Sequence, residues 1–422
     1  MLSVMLAWPA PVRAYAVLSH EAIIDAVWET HIKPLLRKKF PQATEEELSG
    51  SQAYAYGGSI IQDMGYYPHG SHFFSDLTHY VRSGDFVQAL LDDAQSVDDY
   101  AFALGAVAHY AADNDGHRIG TNRAVPVLYP KLRKRYGNSV SYEQDPLAHV
   151  KTEFGFDVLE VAQERYAPES YHDFIGFEVA ETLLERAFCE TYGLELSDVL
   201  SDEKEAFSSY RHAVSKLLPK ATRIAWHLKK DEIKGDLPGI TKKQFLYNLS
   251  RSNYEHEWGK NYPKPTFGEK FLAFLYKLVP KFGPLKVLQF KTPTPQTQQM
   301  FEASFNATLD RYRKWLEQAG MGRPDLANDN FDVGEYTKPG DYRMSDDTYA
   351  TLLDKLAERQ FASAPADLRA EILRFYGQPD APYATKRDAK VWARVLAELE
   401  QLKAATPGQV QTTVPMAALH LF

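Results

Sequence analysis

Tyr100-Ala-Phe-Ala-Leu-Gly-Ala-Val-Ala-His109-Tyr-Ala-Ala-Asp113-Asn-Asp-Gly-His117 is the stretch that decides the fold class. It is apolar up to His109, and a helix that is apolar all round belongs in the middle of a protein. A helix repeats every ~3.6 residues, so groups four apart stack one turn above the other. His109 and Asp113 stand in that relation, and His149 with Glu153 repeats it after a basic, Pro-containing excursion. Imidazole nitrogen and carboxylate oxygen are ligands for zinc and first-row metals, and a helix fixes their separation. A lone histidine on an apolar helix is more often a satisfied core residue. Burying His109, Asp113, His149 and Glu153 together without a metal would strand charges, at roughly several kcal/mol per ion. Ligand type, periodicity and number therefore point to a metal cluster.

Outward from this stretch, the rest of the chain is long enough for two domains, or one with an appendage. It has 422 residues, 44% of them apolar, which suffices for a real core and excludes a disordered protein. A net charge of −8 gives no global basic field for nucleic acid. Cys189 is the single cysteine, so an intrachain disulfide and a Cys-based zinc site are both excluded. Any metal must sit among nitrogen and oxygen ligands. Residues 1–16 form an apolar run ending in Ala14-Tyr15-Ala16, a small-x-small cleavage pattern without a basic start. They are expected to be a signal segment of an exported protein. No later stretch reaches the ~20 uninterrupted apolar residues of a membrane span.

Helical patterning resumes at Ser19, a candidate N-cap, with His20, Ile23, Ile24, Val27 and Trp28 recurring at helical spacing. Thr44-Glu-Glu-Glu-Leu48 reads as another helix start, with acids in its first turn. Ala53 to Pro68 reads as a helix ending in a flexible loop that aims Asp63 into a site. His79 faces inward on the next helix, while His69 and His72 read as exposed loop residues. Asp98 or Asp99 is expected to cap the helix that carries His109. The basic run Tyr129–Tyr136 reads as a solvated helix face.

From Lys229 to Pro265 the composition shifts to Lys, Gly, Asn and Pro, as at a domain boundary. Lys270–Lys291 combines five lysines with large apolar groups and no acids. It suits a membrane surface, although a core-packed helix pair fits the pattern better. Residues 292–300 read as a Pro/Thr/Gln linker. The tail to about 405 is helical except for a turn-rich stretch from Asn328 to Asp341, and it shows no catalytic constellation. Strand-like alternation and repeats are absent from the sequence. The organisation expected is therefore a signal segment at 1–16, a catalytic domain at 17–235, a connecting region at 236–300 and a helical region at 301–422.

The candidate ligands run in the order His20, Asp63, His79, His109, Asp113, His117, His149, Glu153. This order resembles that of the bacterial zinc-dependent phospholipase C family, which shares an all-α fold with the S1/P1 nucleases. Gly105-Ala-Val-Ala-His109-Tyr-Ala-Ala-Asp113 and His149-Val-Lys-Thr-Glu153 carry the resemblance, which spans about residues 17 to 220. It implies two or three Zn2+ ions. Asp63, His79, His109 and Asp113 would hold one. His117, His149 and Glu153 would hold a second. His20, a bridging Asp113 and the mature N-terminus would hold a third. Asp63 resembles the family carboxylate that is both ligand and general base. The four-residue step from Asp113 to His117 is shorter than in the family, and the family's N-terminal Trp has no counterpart.

The function implied is hydrolysis of glycerophospholipids, with a phospholipid or membrane surface as partner. Glu153 in place of Asp leans toward the phospholipase branch. An S1/P1-type nuclease stacking bases on Tyr66 and Tyr67, and a non-catalytic metal-stabilised binding protein, are the alternatives. Asp76, Asp115 and Asp145 are candidate partners for the outer nitrogens of the histidines. The sequence leaves the oligomeric state open.

Overall fold

The computed structural model describes residues 17–162, 177–214 and 290–405. The proposed signal segment, most of the Lys270–Lys291 stretch and the Lys229–Pro265 boundary lie outside them. The described residues are all-α, with one isolated antiparallel bridge between Asn330 and Glu335 and no strand.

The helix Val97–Asp115 runs through the middle, buried at every position from Tyr100 to Asp115. Its cap is Ser96 rather than either aspartate. The Ser96 hydroxyl accepts from the Asp99 amide at 3.0 Å, and the Asp99 carboxylate accepts from the Ser96 amide at 3.2 Å. This reciprocal box satisfies two amides that a helix start leaves orphaned. Thr44 and Glu47 form the same box ahead of Glu45–Gly50, where the sequence places a helix start.

The helix Gln52–Gly58 crosses the central helix at backbone contact. A Cβ on Gly58 would lie 1.9 Å from the Phe102 carbonyl oxygen, and one on Gly105 would lie 2.2 Å from that of Ala55. Real Cβ atoms do not approach so closely, so both positions demand glycine. The crossing brings the Ser59 carbonyl to His109.

Two expected helix boundaries differ. Ser19 is no cap: the helix Val17–Val27 already includes it, and its hydroxyl donates to Asp157 at 2.7 Å. The 292–300 linker contains the start of the long helix Pro295–Met321, capped by Thr294 with Pro295 in the first turn. Proline there loses no helical hydrogen bond. The basic run forms the helix Pro130–Tyr136, which buries no residue.

Buried apolar residues from both halves of the chain form one continuous cluster, from Val17 to Leu402. Helix Pro295–Met321 lies along the central helix, where Tyr312 donates to the Leu104 carbonyl at 2.9 Å. Trp315 stands edge-on to Tyr110 at 5.0 Å. Arg311 pairs with buried Asp115 at 2.8 Å. Beyond it come helices Arg343–Glu358, Ala366–Phe375 and Ala389–Ala404.

Gly58→Ala and Gly105→Ala should each destabilise the protein by about 1–3 kcal/mol, the usual overpacking cost. Denaturant titration would read this, and a shift below 0.5 kcal/mol would contradict the contact.

Candidate metal centre

Three further helices and two turns meet around the central helix to form the site. Asp63 sits on a tight turn, Ile61–Tyr66, in which every residue is buried. It is 1% exposed, so the expected flexible loop is instead a rigid part of the core. Gly65 allows this, since its amide donates to the Ser75 hydroxyl at 3.0 Å and a Cβ there would strike the Ser71 carbonyl. Helix His72–Tyr80 turns His79 inward and leaves His69 and His72 exposed, as the sequence suggests.

Asp113 is the hub. Its Oδ2 lies 3.3 Å from Nε2 of both His79 and His109, and its Oδ1 lies 3.7 Å from His20 Nε2. His79 Nε2 also faces Asp63 Oδ1 at 3.4 Å. The rings of His20 and His109 stack at 4.6 Å. Two ligand triplets result, His20–His109–Asp113 and Asp63–His79–His109, each with its ligand atoms within 4.8 Å of one another. A third triplet is His117–His149–Glu153. All eight residues are buried.

The step from Asp113 to His117 has a structural explanation. The central helix runs into a π-type turn, Gly116–Thr121, before regular helix resumes at Asn122. Such widened turns are rare and concentrate at functional sites. This one turns His117 toward Glu153, with Nε2 3.6 Å from Oε1, instead of stacking it over Asp113. Glu153 Oε1 is also 3.3 Å from His149 Nδ1.

Backbone carbonyls fix the tautomers, because a carbonyl only accepts. His79 Nδ1 donates to Ser75 at 2.7 Å and His109 Nδ1 to Ser59 at 2.9 Å, which leaves each Nε2 lone pair aimed at the carboxylates. His149 is reversed: Nε2 donates to Val140 at 2.8 Å and Nδ1 faces Glu153. Outer hydrogen bonds of this kind orient metal-binding imidazoles. Neither Asp115 nor Asp145 fills that role. Asp115 pairs with Arg118 and Arg311, and Asp145 accepts from the Ala148 amide at 2.9 Å.

The turn-rich Asn328–Asp341 stretch was read as free of site residues, yet it enters the site. The Phe331 ring packs on His79 at 5.1 Å, and its amide donates to the His79 carbonyl at 3.2 Å. Asp332 Oδ1 lies 3.1 Å from His117 Nδ1. The one sequence signal was Asn328-Asp-Asn-Phe-Asp332, turn formers around a large aromatic. That signal marks a turn without naming its neighbour.

The donor chemistry fits a metal. Both oxygens of Asp63 and Asp113 and the Nε2 atoms of His79, His109 and His117 are buried without a hydrogen bond among the described residues. Buried polar atoms are ordinarily satisfied, and a cation is the natural partner for acceptors that all face one another. The titration pattern is equally strained. Burial, and then His109, hold His20 down at about 3. Burial lowers His79 as well, but Asp113 and Asp63 outweigh it and push His79 up to about 9.

Residues 19–202 match the family model described as zinc dependent phospholipase C. This segment is similar to that family. The matched segment carries all eight candidate ligands, and the zinc dependence in the family's description agrees with the donor set. Neither a curated protein nor a solved structure matches the chain.

The matched segment also buries carboxylates outside the cluster, Asp157 among them. Asp157 accepts from the Ser19 hydroxyl and, at 3.1 Å, from the Leu18 amide, which anchors the helix that carries His20. Burial foremost pushes its carboxyl up to about 8, with Glu21 and Glu160 adding to the effect against the two hydrogen bonds. The unfolded chain gives up this proton near 4 and the folded chain near 8. In that window the folded state binds the extra proton, so stability is full below about 4 and falls as pH climbs toward 8. Asp157→Asn cannot ionise. Its melting temperature should gain on the wild type's from pH 5 to 8, and a pH-independent difference would contradict this.

Proposed function

We propose that the chain is a zinc-dependent phosphodiester hydrolase of phospholipase C type. It acts on glycerophospholipids and releases diacylglycerol and a phosphorylated head group. The observation that carries the reading is the set of buried, unsatisfied His, Asp and Glu atoms within the family segment. In this reading Asp63, His79, His109 and Asp113 hold one zinc ion, and His117, His149 and Glu153 hold a second. His20 and Asp113 serve a third, with further ligands from the N-terminal segment. Zinc bound there supplies a Lewis acid for a phosphoryl oxygen and a water whose pKa drops from 15.7 to about 7.

The chain's own residues do the rest. Asp63 receives the water's proton on a carboxylate oxygen, and its buried turn keeps that oxygen in place. His79 and His109 keep their Nδ1 protons on backbone carbonyls, so their Nε2 lone pairs stay available. Phe331 walls the site against water. Tyr66 and Tyr67, the stacking candidates of the nuclease alternative, are buried, and Tyr66 packs on His72 and His79. They therefore offer no open face on which a base could stack. Export, and contact with a membrane surface through Lys270–Lys291, belong to the same proposal and rest on sequence. No helix among the described residues is long and apolar enough to cross a membrane.

Protein purified without added zinc should contain two or three zinc ions per chain by elemental analysis; fewer than one refutes the reading. His109→Ala and Glu153→Ala should lose metal and bring hydrolysis of short-chain phosphatidylcholine near background, and full turnover by either variant would be incompatible with these ligand roles. Wild-type turnover of that lipid should exceed turnover of single-stranded DNA. The opposite ranking would make the enzyme a nuclease.

A further inference from the structure

The catalytic segment does not supply every group that holds its histidines. His117 Nδ1 faces two groups, both from the C-terminal half: it donates to the Phe331 carbonyl at 3.2 Å, and Asp332 Oδ1 lies 3.1 Å from it as an ion-pair partner. Residues 331 and 332 lie far beyond the matched segment, which ends at 202.

Asp332 is itself held from several sides. Its Oδ2 accepts the Tyr80 hydroxyl at 3.1 Å and the Tyr342 hydroxyl at short range. Its amide donates to Asn330 Oδ1 at 2.9 Å, and its carbonyl accepts from Asn122 Nδ2 at 2.7 Å. Asn122 accepts in turn, through its own carbonyl, from the Val140 amide, and Val140 holds His149. The loop therefore braces both imidazoles of the third triplet. Gly334, with φ of +71°, closes the turn where a Cβ would stand 2.5 Å from the Asn114 carbonyl oxygen. The carboxylate is wholly buried.

We propose that Asp332 is the positioning residue for His117. Beside the Phe331 carbonyl that accepts the Nδ1–H, its negative charge keeps the proton on Nδ1 and leaves the Nε2 lone pair facing Glu153, and so makes the C-terminal half an integral part of the metal centre. A carboxylate behind a metal-bound imidazole raises ligand basicity and fixes ring orientation, and losing one typically costs 10–100-fold in metal affinity. The proposal rests on the reading of His117, His149 and Glu153 as zinc ligands.

The test uses the full chain with Asp332→Asn, Asp332→Glu and Tyr342→Phe. Zinc affinity is measured by chelator competition, cobalt absorption reports ligand geometry, and thermal melts of the metal-free proteins report folding. Asp332→Asn should weaken one zinc site 10–100-fold and alter the cobalt spectrum while the other sites keep their affinity. Asp332→Glu should recover part of the loss. Tyr342→Phe, which keeps the carboxylate but loosens it, should weaken the same site by a smaller factor, and it carries the test should the Asp332 variants not fold. Wild-type zinc affinity in the variants that fold overturns the role of Asp332, even where melts are lowered. A wild type that takes up no zinc overturns the site reading, and this inference with it.

Discussion

A carboxylate shared by imidazoles inside an apolar core is the constraint on which the structure depends. Asp113 lies where water does not reach, with three histidine nitrogens within 3.7 Å. Such a group is costly to bury and tolerates little displacement. The structure answers with rigidity. Glycines let two helices touch at their backbones, a compact turn replaces a loose loop, and carbonyls dictate which nitrogen of each ring is bare. The eight residues come from four helices and two turns, and each element is held by the packing of the next.

The two halves of the chain are interlocked in the same way. Tyr312, Trp315 and Arg311 clasp the central helix from one side, and Phe331 and Asp332 reach the histidines from another. Apolar packing supplies the adhesion, while the polar contacts fix the register. The C-terminal half therefore does more than ride alongside the matched segment; its loop is one wall of the histidine cluster.

Much of this was legible beforehand, and the reasons are physical. The four-residue pairs His109–Asp113 and His149–Glu153 were readable because helical geometry is local and periodic. The all-α class followed from the same periodicity. Asp63 reads from sequence as a residue on a flexible loop, since glycines and a proline look alike in a mobile loop and in a tight buried turn. The cap of the central helix was assigned to the wrong residue because Ser96 and Asp99 cap one another. Spacing alone stacks His117 over Asp113, as a π-type turn leaves no reliable trace in sequence. Asp332 was invisible for a deeper reason: its partner lies more than two hundred positions away, and no local pattern encodes a tertiary contact.

The sealing loop also has a temporal consequence. A chain emerges from the ribosome N-terminus first, at about 5–20 residues per second. All eight candidate ligands are thus outside for on the order of ten seconds or more before Phe331 and Asp332 appear. During that interval His79 stands without the Phe331 ring that packs on it. Until those two residues appear, His117 lacks both groups that face its Nδ1 in the folded protein.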